Sequence, residues 1–83
     1  ILIIDCRKNN VFIHGHILGS SNICIEDNDI FFKKYFKKTI ILVCENGKYS
    51  SNKVSFLKKK GFFDVKNLNG GINSWIKDGY PLV

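Results

Sequence analysis

Cys44 stands where an apolar run, Thr39 to Val43, gives way to a short polar loop, Glu45-Asn46-Gly47-Lys48-Tyr49. A helical pattern is expected from about Ser50. A thiol at that junction sits at the carboxyl end of a buried strand and at the mouth of a helix N-terminus. Backbone N–H groups converge there and the helix dipole is positive, so a thiolate is favoured over a thiol. Gly47 lets the backbone turn where a Cβ would obstruct it, and Lys48 adds a positive charge. The chemistry such a residue performs is nucleophilic attack with a covalent intermediate.

Three other groups fall near strand or loop ends. Asp5 closes the run Leu2 to Asp5, and Arg7 follows two residues later. The two read as an ion pair that orders the same rim. His16, in His14-Gly15-His16, reads as a loop tie held by hydrogen bonds rather than as a catalytic base. Cys6 and Cys24 read as packing residues near strands rather than as resolving thiols. Three widely spaced cysteines argue against a disulfide framework and a CxxC metal site, and no metal or organic cofactor is expected.

The elements that must position these residues follow from pattern. Leu2 to Asp5 is expected as a strand, Lys8 to Asn10 as a turn, and Val11 to His16 as irregular with at most one helical turn. Asn22 to Ile25 is expected as a short strand. Asp27, Asn28 and Asp29 offer caps for a helix with an apolar stripe of Ile30, Phe31, Phe32, Tyr35 and Phe36, ending near Thr39. Ile40 to Val43 is apolar without alternation, which suits a central parallel strand covered on both faces. Ser50 or Ser51 is expected to cap a helix stopped by Gly61. Phe62 to Leu68 is expected as a strand, Asn69-Gly70-Gly71 as a tight turn and packing site, and Ile72 to Asp78 as a helix anchored by Trp75. Ligands of such open sheets bind beyond the carboxyl ends of the strands, where Asp5 and Cys44 both fall.

The chain has 83 residues with 45% hydrophobic content, enough for one small packed domain. Because Ile1 opens directly on a strand pattern, the first elements of a larger domain are expected to be absent. The net charge is +6, from 13 basic and 7 acidic residues. The lysines cluster at Lys33-Lys34, Lys37-Lys38 and Lys58-Lys59-Lys60, and read as solvated helix faces open to an acidic protein partner. Nothing resembles a nucleic-acid recognition motif, and no run approaches the roughly 20 apolar residues that span a bilayer. Cysteine usage fits a reducing compartment, cytoplasmic or mitochondrial.

Taken in order, these segments resemble the rhodanese (sulfurtransferase) domain. Asp5-Cys6-Arg7 is similar to the family's Asp-x-Arg. Gly15 to Ile23 is similar to its Gly-His-Ile-x-Gly-Ala/Ser-x-Asn-Ile segment. Cys44 to Ser50 resembles the active-site loop Cys-x-x-Gly-x-x-Ser. Gly61-Phe62, Val65, Leu68, Gly70-Gly71, Trp75 and Gly79-Tyr80-Pro81 resemble its closing segments. The resemblance implies a small α/β fold with a mainly parallel central sheet and helices on both faces. It implies a Cys44 persulfide fed by a small anionic donor, thiosulfate or a persulfide, and emptied by a thiol or protein acceptor. The substrate loop would be Glu45, Asn46, Gly47, Lys48, Tyr49 and Ser50, with Asp5, Arg7 and His16 as supporting rim. Glu45 and Tyr49 depart from the thiosulfate-type and mercaptopyruvate-type loops, so the substrate class stays open. A phosphatase reading fails, because Ser50 stands where Cys-x₅-Arg needs its arginine. The rival reading is a non-catalytic module used for docking or regulation.

Overall fold

The computed structural model describes residues 1–24 and 35–83. Within them the order is β1 (Leu2–Asp5), α1 (Asn9–Phe12), β2 (Ser21–Asn22), β3 (Thr39–Val43), α2 (Lys48–Lys59), β4 (Asp64–Asn67) and α3 (Gly71–Lys77). The strands form one sheet in the order β2-β1-β3-β4, and every pairing is parallel. Asp5 lies opposite both Asn22 and Val43, and Leu42 opposite Asn67. All four strands therefore end together, and the residues just past those ends share one rim.

The unbroken apolar run of β3 has a simple cause. Successive strand residues point to opposite faces, and here both faces are covered. Ile40 and Leu42 pack with Ile4, Val65, Phe62 and the α2 residue Leu57. Val43 packs with Ile17 and the α3 residue Ile72, with Ile3, Ile41 and Trp75 around them. Helices thus flank the sheet on both sides, as the family resemblance implies. Each such aliphatic side chain contributes about 1.5–3 kcal/mol by leaving water.

Several boundaries differ from the sequence reading, each for a local reason. β2 is only Ser21–Asn22. The Asn22 side chain turns back to donate to the carbonyls of Asp5 and Arg7, at 3.0 and 2.8 Å, and Cys24 is exposed. Helix α2 begins at Lys48 with Gly47 as its N-cap, not at Ser50 or Ser51. β4 is shorter than Phe62 to Leu68, because Phe62 bends away to bond Leu57 O and fill the core. Helix α3 starts one residue early, at Gly71. The expected caps Asp27, Asn28 and Asp29, the stripe Ile30, Phe31 and Phe32, and Lys33 and Lys34 lie outside the described residues. Tyr35 to Lys38 close as a turn, with Lys38 N–H donating to Tyr35 O at 3.0 Å.

Candidate active site

The loop after β3 is built so that its amides face inward. The carbonyl of Cys44 accepts the Ile72 N–H at 2.9 Å, and that of Glu45 accepts the Asn73 N–H at 3.0 Å. A trans peptide holds C=O and N–H on opposite sides. Fixing the Glu45 carbonyl against the start of α3 therefore turns the next amide, that of Asn46, toward the sulfur. The approach is tight: a Cβ on Gly71, at φ +60°, would sit 2.3 Å from Cys44 O. Gly47 has φ +87°, which reverses the chain into α2, and a Cβ there would meet Gly70 N at 3.0 Å.

Around Cys44 Sγ the result is a ring of donors. Gly47 N–H lies 3.1 Å away and Ser50 N–H 3.4 Å. Ser50 Oγ lies 3.1 Å from Sγ and also touches Asn67 Oδ1. Asn67 Nδ2 donates to Gly47 O at 3.2 Å, tying the end of β4 to the loop. Ser50 has a single hydroxyl proton. Turned to Asn67, it leaves a neutral thiol free to donate to Oγ. Turned to sulfur, it stabilises the thiolate. Burial opposes the charged form of Cys44, but the Ser50 hydroxyl and the amides of Ser50, Gly47 and Asn46 outweigh it, and the thiol pKa falls below its ordinary value.

Cys44 is 5% exposed and forms part of the wall of an open cleft of about 340 Å³. The other walls are Cys6, Arg7, Lys8, Val11, Glu45, Asn46 and Tyr49. Asp5 lies beneath and pairs with Arg7, whose Nε and Nη2 reach both carboxylate oxygens at 2.9 to 3.1 Å. Arg7 Nη2 also donates to Gly15 O at 2.7 Å. The side chains are 7% and 1% exposed, so this is a buried pair that holds Arg7 in place at the cleft wall.

The remaining sequence candidates divide. Lys48 lines a neighbouring groove with Asn52, Asn67 and Asn69 rather than the cleft that holds Cys44, because as the first residue of α2 it projects outward. His16 is not among the cleft walls. Its Nδ1 meets Phe12 O at 3.0 Å, its ring stacks on Phe12, and its backbone pairs with Val83. Trp75, on α3, packs against the Ile17, Val43 and Ile72 cluster and donates from Nε1 to Pro81 O at 2.9 Å. Sequence reasoning missed Asn67 and the wall residues Cys6, Lys8 and Val11, whereas Gly71 is the packing site expected of Gly70-Gly71. The shared rim of strand ends was the available signal for Cys6 and Asn67. No helix among the described residues is long and apolar enough to cross a membrane.

Residues 1–78 match the family model of the rhodanese-like domain. An uncharacterized protein of Buchnera aphidicola subsp. Baizongia pistaciae is 38% identical across the whole chain, which spans 60% of that protein. The thiosulfate sulfurtransferase GlpE of Shewanella oneidensis is 34% identical over 90% of the chain and 75% of its own length. A crystal structure of a rhodanese-related protein from Thermoplasma volcanium superposes with a TM-score of 0.86 at 34% identity, covering 99% of this chain and 82% of that one.

Proposed function

The chain belongs to the rhodanese-like domain family, and from that premise we propose that it is a sulfurtransferase whose sulfur is carried on Cys44. The observation that supports this most is the donor ring: a thiol of lowered pKa, under the amides of Gly47 and Ser50, at the wall of an open cleft. The similarity to GlpE, named a thiosulfate sulfurtransferase, points the same way.

In the first half-reaction the Cys44 thiolate attacks the sulfane sulfur of a donor. The donor's bond to that sulfur breaks, and sulfite or a thiolate leaves with the electron pair. Cys44 then holds a persulfide whose negative charge lies where the loop amides point. In the second half-reaction an acceptor thiolate attacks the outer sulfur, and Cys44 leaves as a stabilised thiolate. Lys8 on the cleft wall favours an anionic donor, whereas the Arg7 charge is balanced by Asp5, and Glu45 opposes a dianion more than a singly charged persulfide. A protein acceptor of acidic character would find the exposed Lys58, Lys59 and Lys60 at the end of α2.

The test is a steady-state assay with thiosulfate or a small persulfide as donor and cyanide or a thiol as acceptor. The enzyme should give parallel double-reciprocal lines, the mark of a ping-pong reaction, and Cys44→Ser should abolish turnover. Turnover that survives Cys44→Ser contradicts the assignment. A folded, reduced protein inert to every donor favours the docking module instead.

A further inference from the structure

Cys44 is not the only thiol in its cleft. Cys6 lines the same cavity, one residue past the end of β1, as Cys44 is one residue past the end of β3. Asp5 and Val43 are register partners, and Cys6 N–H donates to Val43 O at 2.8 Å. The two cysteines therefore follow side by side on adjacent parallel strands, which run about 4.8 Å apart. Alternation puts both side chains on the face that carries Ile4 and Leu42, and Cys6 packs against that core. A persulfide extends Cys44 by one S–S bond, about 2 Å, into the space both residues border.

We propose that Cys6 is a second sulfur carrier, taking the sulfane sulfur from the Cys44 persulfide and presenting it to the final acceptor. This rests on the Cys44 persulfide proposed above. The step balances within the protein. The Cys6 thiol proton passes to the outer sulfur of the persulfide, and the Cys6 sulfur forms a bond to that same outer sulfur. The bond between it and Cys44 Sγ breaks, and the electron pair stays on Cys44. A Cys6 persulfide and a Cys44 thiolate result, with no external oxidant or reductant.

The direction follows from the surroundings of the two sulfurs. Burial, then the charges of Cys44 and Asp5, push the Cys6 thiol up to about 12, whereas the loop lowers Cys44. In thiol exchange the sulfur of lower pKa is the better leaving group. Cys44 is therefore suited to release the sulfur and Cys6 to retain it. Loading passes through Cys44 because its persulfide brings the outer sulfur into the cavity that both thiols border and takes up the Cys6 proton there.

The experiment is a time course. The reduced protein is mixed with a small alkyl persulfide, quenched with an alkylating reagent, digested, and each cysteine peptide weighed. The expected result is sulfur first on Cys44 and then on Cys6, with Cys6 holding most of it at equilibrium. In Cys44→Ser, Cys6 should stay unloaded. Sulfur that remains on Cys44 alone overturns the relay while leaving the Cys44 assignment intact. Loading of Cys6 in Cys44→Ser, or loading of exposed Cys24 as fast as Cys6, overturns it in favour of direct or solvent-borne transfer. No sulfur on any cysteine overturns both proposals.

Discussion

At the scale of single residues, the thiolate is held by one side chain and a few amides, and each can be tested. Ser50→Ala removes the hydroxyl 3.1 Å from Cys44 Sγ but leaves the amides. Its alkylation rate should rise with pH at a higher midpoint than in the wild type. Because the folded-state pKa of Cys44 lies below its ordinary value, the wild-type midpoint should itself lie below that of the unfolded chain. An unchanged midpoint in Ser50→Ala would show that the hydroxyl serves Asn67 alone. Arg7 carries a different load. Its removal strands the buried Asp5 carboxylate, and Arg7→Ala should lose about 3–5 kcal/mol in urea unfolding. A loss under about 1 kcal/mol would place the pair with ordinary surface ion pairs. Cys44 and Asp5 were legible from sequence because each sits at the end of an apolar run, and Arg7 because it follows Asp5 by two residues. Asn67 was not, since its partners Ser50 and Gly47 are far from it in the chain and only the pairing of β3 with β4 brings them together.

At the scale of elements, the loop conformation is imposed from outside by α3. Two carbonyls after β3 dock on the first amides of that helix, and only glycine at position 71 permits the approach. Gly71→Ala should lose about 1–3 kcal/mol from its left-handed backbone alone, with the clash against Cys44 O added. It should also slow Cys44 alkylation at neutral pH, because the amides no longer aim at sulfur. A variant that is destabilised yet keeps wild-type thiol reactivity would separate folding from loop geometry. The uninterrupted run in β3 foretold burial on both faces, and the structure has it. The cap of α2 was misplaced because Ser50 looked like a cap by residue type. In the folded loop its hydroxyl is engaged by the Cys44 sulfur and Asn67, and left-handed Gly47 starts the helix instead.

At the scale of the whole molecule, parallel pairing in register gathers the ends of all four strands on one rim, and a chain of net charge +6 surrounds it. Long-range attraction should speed the encounter with anionic donors. Their kcat/KM should fall as ionic strength rises past about 0.1 M, where the Debye length is about 10 Å; a neutral donor should show no such fall. Equal salt dependence for both would remove steering from the account. The alternation from β3 to α3 and the position of the thiol on the rim were readable from the sequence, whereas the short helix α1, read as a turn and irregular chain, was not, and which residues wall the cleft depended on strand register. The most direct measurement is the intact mass of the folded, reduced protein after exposure to thiosulfate or a small persulfide. The account predicts the gain of one sulfur atom, removable by cyanide or a thiol and absent from Cys44→Ser. A wild-type protein of unchanged mass, with Cys44 still open to alkylation, contradicts it.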